Sequence, residues 1–339
     1  MNYKKNKVVV AMSGGVDSSV TSLLLLKQGY EVIGLTGVMS ESSENAVQEA
    51  AKVCNSLGIR HEILDLRESF ADLVVKYFDN SYMTGLTPNP CVFCNKTIKW
   101  GKMTEFVFNE LGADFYATGH YARIIDNKLY RAKDLKKDQS YMLFALTQED
   151  LARTIFPLGE LNKAEVKEIA KKNNLTSANN KESQDVCFIE PPATTQSYLT
   201  NKFGEKSGEI IHYKTGKVLG MHRGTFNYTI GQRKGICIAA PEPLYVISTD
   251  HKENKVIVGG KEDLLSSEFT VENVNWQQDF TENVMVKIRY NSPAQEATIS
   301  RTGHVKFKEP KSAITPGQAA VFYDMDNEYV IGGGIIRTV

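Results

Sequence analysis

No stretch of this sequence approaches the roughly 18 apolar residues that a membrane-crossing helix needs. The apolar run 8–12, after the basic start Met1-Asn2-Tyr3-Lys4-Lys5, is too short for the hydrophobic part of a secretion signal. Cysteine is scarce, and the five thiols (Cys54, Cys91, Cys94, Cys187, Cys237) are an odd number scattered along the chain. That pattern argues against a secreted disulfide framework and for a reducing, cytoplasmic setting. Neither sign of charge is in excess: 40 Lys and Arg balance 40 Asp and Glu. Net charge therefore says nothing for or against nucleic acid, since a neutral chain can still gather its cations on one face. Internal repeats and low-complexity tracts are missing too. What remains is the composition of a soluble globular protein, 42% apolar and 24% charged. At 339 residues it is too long for a single core, which predicts two or three domains.

Short apolar runs alternate with amphipathic stretches through the first half. Strands are predicted at 7–12, 31–36, 61–66 and 114–118, with helices at 16–28, 44–57, 68–78 and 95–111. Gly29 and Gly58 stand where left-handed helix caps belong, and the prolines of 87–91 break the pattern into a loop. This alternation predicts an α/β domain with a doubly wound parallel sheet and helices on both faces. After about residue 200 the helical period fades, and β-rich runs at 244–249, 255–258, 269–274, 284–289, 297–301, 305–308, 319–323 and 329–336 take over. Such density suggests a small barrel or sandwich. The expected division is 1–200 for the α/β domain, 201–264 for a small central α+β or β domain, and 265–339 for a C-terminal β-barrel.

Ser13-Gly14-Gly15-Val16-Asp17-Ser18 lies between the first strand and first helix. Two glycines let backbone N–H groups converge on an anion, and the helix N-terminus adds unpaired N–H groups and a positive dipole end. Ser13 and Ser18 can donate to phosphate oxygens. Asp17 would repel phosphate unless a cation intervenes, which hints at Mg²⁺. The loop is neither a Walker A motif nor a dinucleotide fingerprint. A ligand-free turn would not need two glycines and two serines in this place. The pattern resembles the PP-loop ATP pyrophosphatases, which cleave ATP to AMP and pyrophosphate and activate a carbonyl oxygen as an adenylate.

Cys91 and Cys94 lie in Thr87-Pro88-Asn89-Pro90-Cys91-Val92-Phe93-Cys94-Asn95-Lys96. Asn95 is read as a helix cap, which would put Cys94 at a helix N-terminus beside Lys96 and Lys99, a setting that favours the thiolate. Cys187 stands where a charged loop, Ser183-Gln184-Asp185, gives way to the apolar Phe188-Ile189. Cys54 and Cys237 sit on apolar patterns and are read as inert core thiols. A Cys-x-x-Cys pair is half of a zinc site, but no second Cys-x-x-Cys or His-x-x-His accompanies it. Sulfur or redox chemistry at Cys94 and Cys187, with Cys91 as a third participant, competes with that reading.

Together these residues resemble the tRNA-specific 2-thiouridylases. The resemblance runs along nearly the whole chain: the glycine loop, Asn89-Pro90, Cys94-Asn95-Lys96, Ala117-Thr118-Gly119-His120-Tyr121, Lys137-Asp138-Gln139-Ser140-Tyr141, Cys187-Phe188-Ile189, Gly231-Gln232-Arg233-Lys234-Gly235, Thr315-Pro316-Gly317-Gln318 and 332–335. It implies ATP-dependent adenylation of the C2 oxygen of a wobble uridine in tRNA. Replacement by sulfur carried as a cysteine persulfide follows, giving 2-thiouridine, AMP and pyrophosphate. It implies ATP binding by Ala11, Met12, Ser13, Gly14, Gly15, Val16, Asp17, Ser18, Gly37 and Gly119, with Mg²⁺. Cys187 would carry the persulfide and Cys94 would be the second catalytic cysteine, the two closing into a disulfide after turnover. Asn89, Pro90 and Cys91 would meet the target base. His120, Lys137, Asp138, Gln139, Arg289, Tyr290 and Gln318 would touch tRNA, and the central domain would bind it. The partners implied are tRNA and a sulfur-donor protein, with no membrane. A wobble uridine must leave its stack before C2 can be reached, and Arg131, Lys133, Lys136 and Lys137 form a local basic segment suited to phosphate, although a solvated loop would look the same.

Two departures stand out. Typical members carry Asp where this chain has Cys91, and that Asp has been cast as a proton-transfer group. An iron–sulfur cluster on Cys91, Cys94 and Cys187 is therefore a second expectation, since thiolates are its preferred ligands. Thr36-Gly37-Val38-Met39-Ser40-Glu41 is also smaller and more polar than the family usually shows. Another PP-loop adenylating enzyme, or a nucleotide- or redox-sensing protein using Cys91 and Cys94 as a switch, remain open alternatives. Neither of these needs Cys187.

Overall fold

The structure, a computed structural model, describes residues 5–179 and 186–338. The basic start at residues 1–4, and Ser183, Gln184 and Asp185 of the stretch before Cys187, lie outside the described residues. The chain forms two compact units: Met1–Val74, Cys91–Gln184 and Glu328–Gly332 make one, and Val75–Pro90, Asp185–Asn327 and Gly333–Val339 the other.

In the first unit the strands are β1 (Lys7–Ala11), β2 (Glu31–Val38), β3 (Arg60–Asp65), β4 (Phe115–Ala117), β5 (Ala122–Ile125), β6 (Lys128–Arg131) and β7 (Thr154–Ile155). Five of them form a parallel sheet in the order β3-β2-β1-β4-β7. Val8, Val9 and Val10 are all fully buried because helices cover both faces, as expected for a parallel sheet. Val8 and Val10 pack with Leu25, Val53, Cys54 and Ala117 on one face. On the other, Tyr116 meets Trp100 edge-on at 5.6 Å. Strand order reverses between β1 and β4, the place where open α/β sheets bind ligands beyond their carboxyl ends. The glycine loop leaves β1 there. Helix α1 (Val16–Lys27) ends before Gly29, at φ 91°, and α2 (Glu44–Leu57) ends at Gly58, at φ 67°. Both stops follow the glycine signal.

Three local readings change. The helix expected from 95 starts at Pro90 and continues through Pro90–Cys94, Asn95–Met103 with widened turns, and Thr104–Asn109. Proline is well suited to a first helical position. Asn95 is therefore not a cap: it is buried and donates its side-chain amide to the Met142 carbonyl at 3.0 Å. The helix expected at 68–78 is a longer run, Arg67–Phe70, Ala71–Val75 and Lys76–Met83. The β5–β6 hairpin, turning on Asp126 and Asn127 at φ 49° and 59°, and the helix Lys163–Lys172 were not anticipated.

The second unit holds β8 (Gly208–His212), β9 (Val218–His222), β10 (Tyr245–Asp250) and β11 (Lys255–Gly259), a sheet in the order β10-β11-β8-β9. Ile210, Val246, Val256 and Val258 form its core. The strands β12 (Leu265–Trp276), β13 (Asn283–Lys287), β14 (Gln295–Ile299), β15 (His304–Ser312), β16 (Ala319–Tyr323) and β17 (Val330–Thr338) close into a barrel. Alternation puts Val284, Val286, Ile299, Val305 and Phe307 in the buried positions. Among the described residues no helix is long and apolar enough to cross a membrane.

Candidate functional site

Gly14 adopts φ 72°, and a Cβ there would meet the Glu49 Cβ at 2.6 Å, so only glycine suits the position. The Ser18 hydroxyl donates to the Gly15 carbonyl at 3.1 Å and accepts from the Ser13 backbone N–H at 3.3 Å, which braces the loop from inside. Gly15, at the N-terminus of α1, has no side chain to cap the helix, and its own N–H donates to the Ser13 hydroxyl at 3.4 Å. The first-turn N–H groups of α1 suit an anion. Upstream, the Met12 N–H donates to the Leu35 carbonyl at 2.8 Å, and the Thr36 hydroxyl donates to the Met12 carbonyl at 3.0 Å. Ala11, Met12 and Val16 hold the loop by backbone and burial.

Asp17 does not stand alone. The Lys163 ammonium donates to both its oxygens at 2.8 Å, and the Tyr121 hydroxyl donates to one at 2.9 Å. Lys163 is sunk to 12% exposure and Asp17 to 31%. Lys163 is the first residue of its helix, placed by the capping box of Asn162 and Glu165. Gly119 follows β4, and a Cβ there would come within 3.0 Å of the Asp17 main chain. A Cβ on Gly37 would meet Leu66 at 3.1 Å and Met103 at 3.4 Å. The glycines of the expected nucleotide set thus mark close approaches around the end of the sheet.

Cys94 is buried within the helical run that begins at Pro90, and Cys91 is exposed in its first turn. Crowding by protein atoms raises the Cys91 thiol and Lys99 acts the other way, although the side chain keeps a path to solvent. Cys187 is exposed. Its neighbours are not: Val186, Phe188 and Ile189 pack with Phe78, Leu199 and Phe226. Cys54 is a core thiol as expected, pushed up to about 11 by burial. Cys237 is not. It is exposed, sits at φ 57°, and lines an open cleft of about 540 Å³ with Arg233 and Pro243, because its apolar neighbours belong to a loop rather than to a strand.

The residues expected to touch tRNA fall into two kinds of environment. His120 is held neutral by burial, with Lys99 acting in the same direction, and pairs with the Thr118 hydroxyl at 2.7 Å beside Trp100 and Phe156. Asp138 is 2% exposed and accepts from the Arg131 guanidinium at 2.9 Å, the Ala132 and Ser140 N–H groups at 3.1 Å and the Ser140 hydroxyl. That places Asp138 and Arg131 inside the protein and leaves Lys133 and Lys136 as the exposed cations of the basic segment. Gln139 accepts from the Tyr121 N–H at 2.9 Å, and Lys137 is half-buried. In the second unit, Arg289 is tied to the Ala313 carbonyl and to the Thr315 hydroxyl at 3.2 Å. Lys287 lies over the half-buried ring of Tyr290 at 5.5 Å. Gln318 donates to the Thr87 carbonyl at 2.9 Å and the Pro88 carbonyl at 3.2 Å, next to the half-buried Asn89 and Pro90. The Thr87 N–H donates to the Pro316 carbonyl at 2.9 Å. Among the described residues no group of three or more His, Cys, Asp or Glu side chains is arranged to hold a metal ion. The cluster expectation on Cys91, Cys94 and Cys187 gains no support from them.

Comparison with known proteins covers nearly the whole chain. Residues 6–191 match the tRNA methyl transferase HUP domain, 196–260 the tRNA methyl transferase PRC-barrel domain, and 266–336 the aminomethyltransferase beta-barrel domain. A protein of Nostoc punctiforme named tRNA-specific 2-thiouridylase MnmA is 46% identical over 350 residues, covering 98% of this chain and 99% of its own. One from Caldanaerobacter subterraneus, named tRNA-specific 2-thiouridylase MnmA 1, is 46% identical over 363 residues, with 98% of each chain covered. Among solved structures, an ammonia-dependent NAD synthetase from Campylobacter jejuni aligns over 52% of this chain and 67% of its own, at 20% identity and a TM-score of 0.34.

Proposed function

The chain belongs to the tRNA-specific 2-thiouridylase family, and we propose that it carries out both halves of uridine thiolation, adenylation and sulfur transfer. It is a sulfurtransferase that acts on tRNA and uses ATP, with Mg²⁺ as PP-loop enzymes do in general. We read residues 1–200 as the catalytic domain, 201–264 as the central tRNA-binding domain and 265–339 as the C-terminal barrel. The finer assignment rests on one observation. The loop of Gly14 and Gly15 at the N-terminus of α1 carries a carboxylate, Asp17, already neutralised by Lys163.

ATP is a substrate here. The loop's N–H groups take its phosphates, Gly37 and Gly119 lie against the nucleotide, and Asp17, whose two oxygens are already held by the Lys163 ammonium, is not assigned as a Mg²⁺ ligand. The metal would neutralise charge on the departing pyrophosphate. The uridine C2 oxygen attacks the α-phosphorus and pyrophosphate leaves, which converts a poor leaving group into AMP. The terminal persulfide sulfur on Cys187 then goes to C2, and Cys94 attacks the inner sulfur of Cys187. The products are 2-thiouridine, AMP and a Cys94–Cys187 disulfide, which a thiol reductant reopens. His120, Lys137, Gln139, Tyr290 and the exposed Lys133 and Lys136 are the proposed tRNA-facing groups. Asn89, Pro90 and Cys91 are the proposed neighbours of the base. Asp138, Arg289 and Gln318 support them by holding the backbone to which they are bonded. A persulfide-donating protein supplies the sulfur, and no step is assigned to an iron–sulfur cluster.

Nucleoside mass spectrometry tests the reading. Wild type and Cys187→Ser are incubated with tRNA, ATP, Mg²⁺ and a persulfide source. Gain of 2-thiouridine by the wild type alone is expected. Its formation by both proteins would remove Cys187 from the route.

A further inference from the structure

Cys187 occupies a tight turn closed by the Ile189 N–H donating to the Val186 carbonyl at 2.9 Å. Three of the four turn residues are packed against a cluster with Phe78, Leu199 and Phe226, and only the thiol-bearing residue is exposed. Phe188, the next residue after Cys187, meets Phe78 edge-on at 5.2 Å and 87°. Tyr198 completes a triangle, 6.1 Å from each of those rings at 65° and 70°. Edge-to-face contacts at these distances fix ring orientation as well as burying area.

The far end of Tyr198 is held by charge. Its hydroxyl accepts from the Lys202 ammonium at 3.3 Å, and Lys202 is ion-paired with Asp79. Asp79 is 6% exposed, on the helix Lys76–Met83 that also carries Phe78. Its other oxygen has no hydrogen-bond partner among the described residues. An apolar residue would fill that place at less desolvation cost. What the pair supplies is direction: it joins Lys76–Met83 to the helix Thr195–Phe203 in one registration, with the Phe188 ring against both Phe78 and Tyr198.

We propose that Tyr198, braced by the Lys202–Asp79 pair, is a positioning residue for the sulfur-carrying Cys187. This rests on the thiolation reading above. Tyr198 holds the Phe188 ring, the ring holds the turn, and the turn aims the thiol. Loss of the ring leaves adenylation intact and disorders the sulfur-transfer half.

The experiment loads Cys187 with inorganic polysulfide, removes the excess, and follows one turnover with tRNA, ATP and Mg²⁺. Pyrophosphate release and 2-thiouridine are read in the same samples. Tyr198→Leu should keep pyrophosphate release within about twofold of wild type and form 2-thiouridine at least tenfold more slowly. Tyr198→Phe, which keeps the ring, should recover to within about threefold, and Lys202→Met should fall between the two. Equal loss in both readouts, or wild-type thiolation by Tyr198→Leu, would overturn the proposal. Should Tyr198→Leu fail to fold, Lys202→Met carries the same split, and its absence there overturns the proposal equally. Cys187→Ser separates the two readings: if it thiolates normally the sulfur-carrier assignment falls, whereas its inactivity beside a normal Tyr198→Leu sinks only the positioning role.

Discussion

Replacing Lys163 by Met removes the cation that neutralises Asp17 while keeping most of the side chain's bulk. Both Asp17 oxygens lie 2.8 Å from the ammonium, and the lysine is only 12% exposed, so solvent is a poor substitute. The uncovered carboxylate then faces whatever anion enters the loop. Two unit charges about 5 Å apart at an effective dielectric of about 20 repel by about 3 kcal/mol. Partial exposure of Asp17 at 31% reduces this to about 1–2 kcal/mol, or roughly tenfold in an affinity. The assay is tRNA-dependent pyrophosphate release against ATP concentration. Lys163→Met should raise the KM for ATP about tenfold, more at low salt than at high. Asp17→Asn and the double variant complete a cycle, and because the two charges act on each other their effects should not add. A KM changed less than twofold, or a cycle additive to within about 0.3 kcal/mol, would refute the reasoning.

Gly119→Ala places a Cβ 3.0 Å from the Asp17 main chain and should cut tRNA-dependent pyrophosphate release by about tenfold or more, with melting temperature as the control for folding. Under native alkylation at pH 7.5, Cys91, Cys187 and Cys237 should label and Cys54 and Cys94 should resist, as peptide mass spectrometry would read out. His61, His120, His222 and His251 are all held below the ordinary imidazole value, with burial the largest cause in each. The unfolded chain therefore takes up protons first as pH falls below about 6.5, so stability is present above that value and lost on acidification, by at most about 1.4 kcal/mol per pH unit for each histidine. Urea melts at pH 7.5 and 5.5 should show the drop, and His120→Asn should reduce it.

The doubly wound sheet was legible because β1 carries a continuous apolar run and the helices α1 and α2 were bounded by Gly29 and Gly58. The helix at Lys163 also announced itself, through Asn162 and Glu165 in capping-box spacing, but its charged face hid the period. The Asp126-Asn127 turn of the β5–β6 hairpin was another available signal. Pro90 marked the helix start more truly than Asn95, since a proline loses no hydrogen bond at a first position. The strand β8 was missed because Gly208 and His212 dilute its alternation. The Asp17–Lys163 pair was out of reach altogether: 146 positions separate the partners, and only the fold brings them together. Cys237 was misjudged because apolar neighbours indicate a core only when a regular element carries them.

Gln318 and Pro316 reach across roughly 230 positions of sequence to hold the backbone at Thr87 and Pro88. Gly317 lies so close that a Cβ would come within 2.9 Å of Leu86 and Thr87. The segment just before β16 thus works as a splint on the approach to Asn89 and Pro90. A chain trimmed of its barrel would lose more than a module, because the prolines at 88 and 90 stiffen a path that still needs an outside hand to set its direction. Substitutions near residue 317 should therefore behave as lesions of the loop at 87–90, and a suppressor of one is best sought in the other.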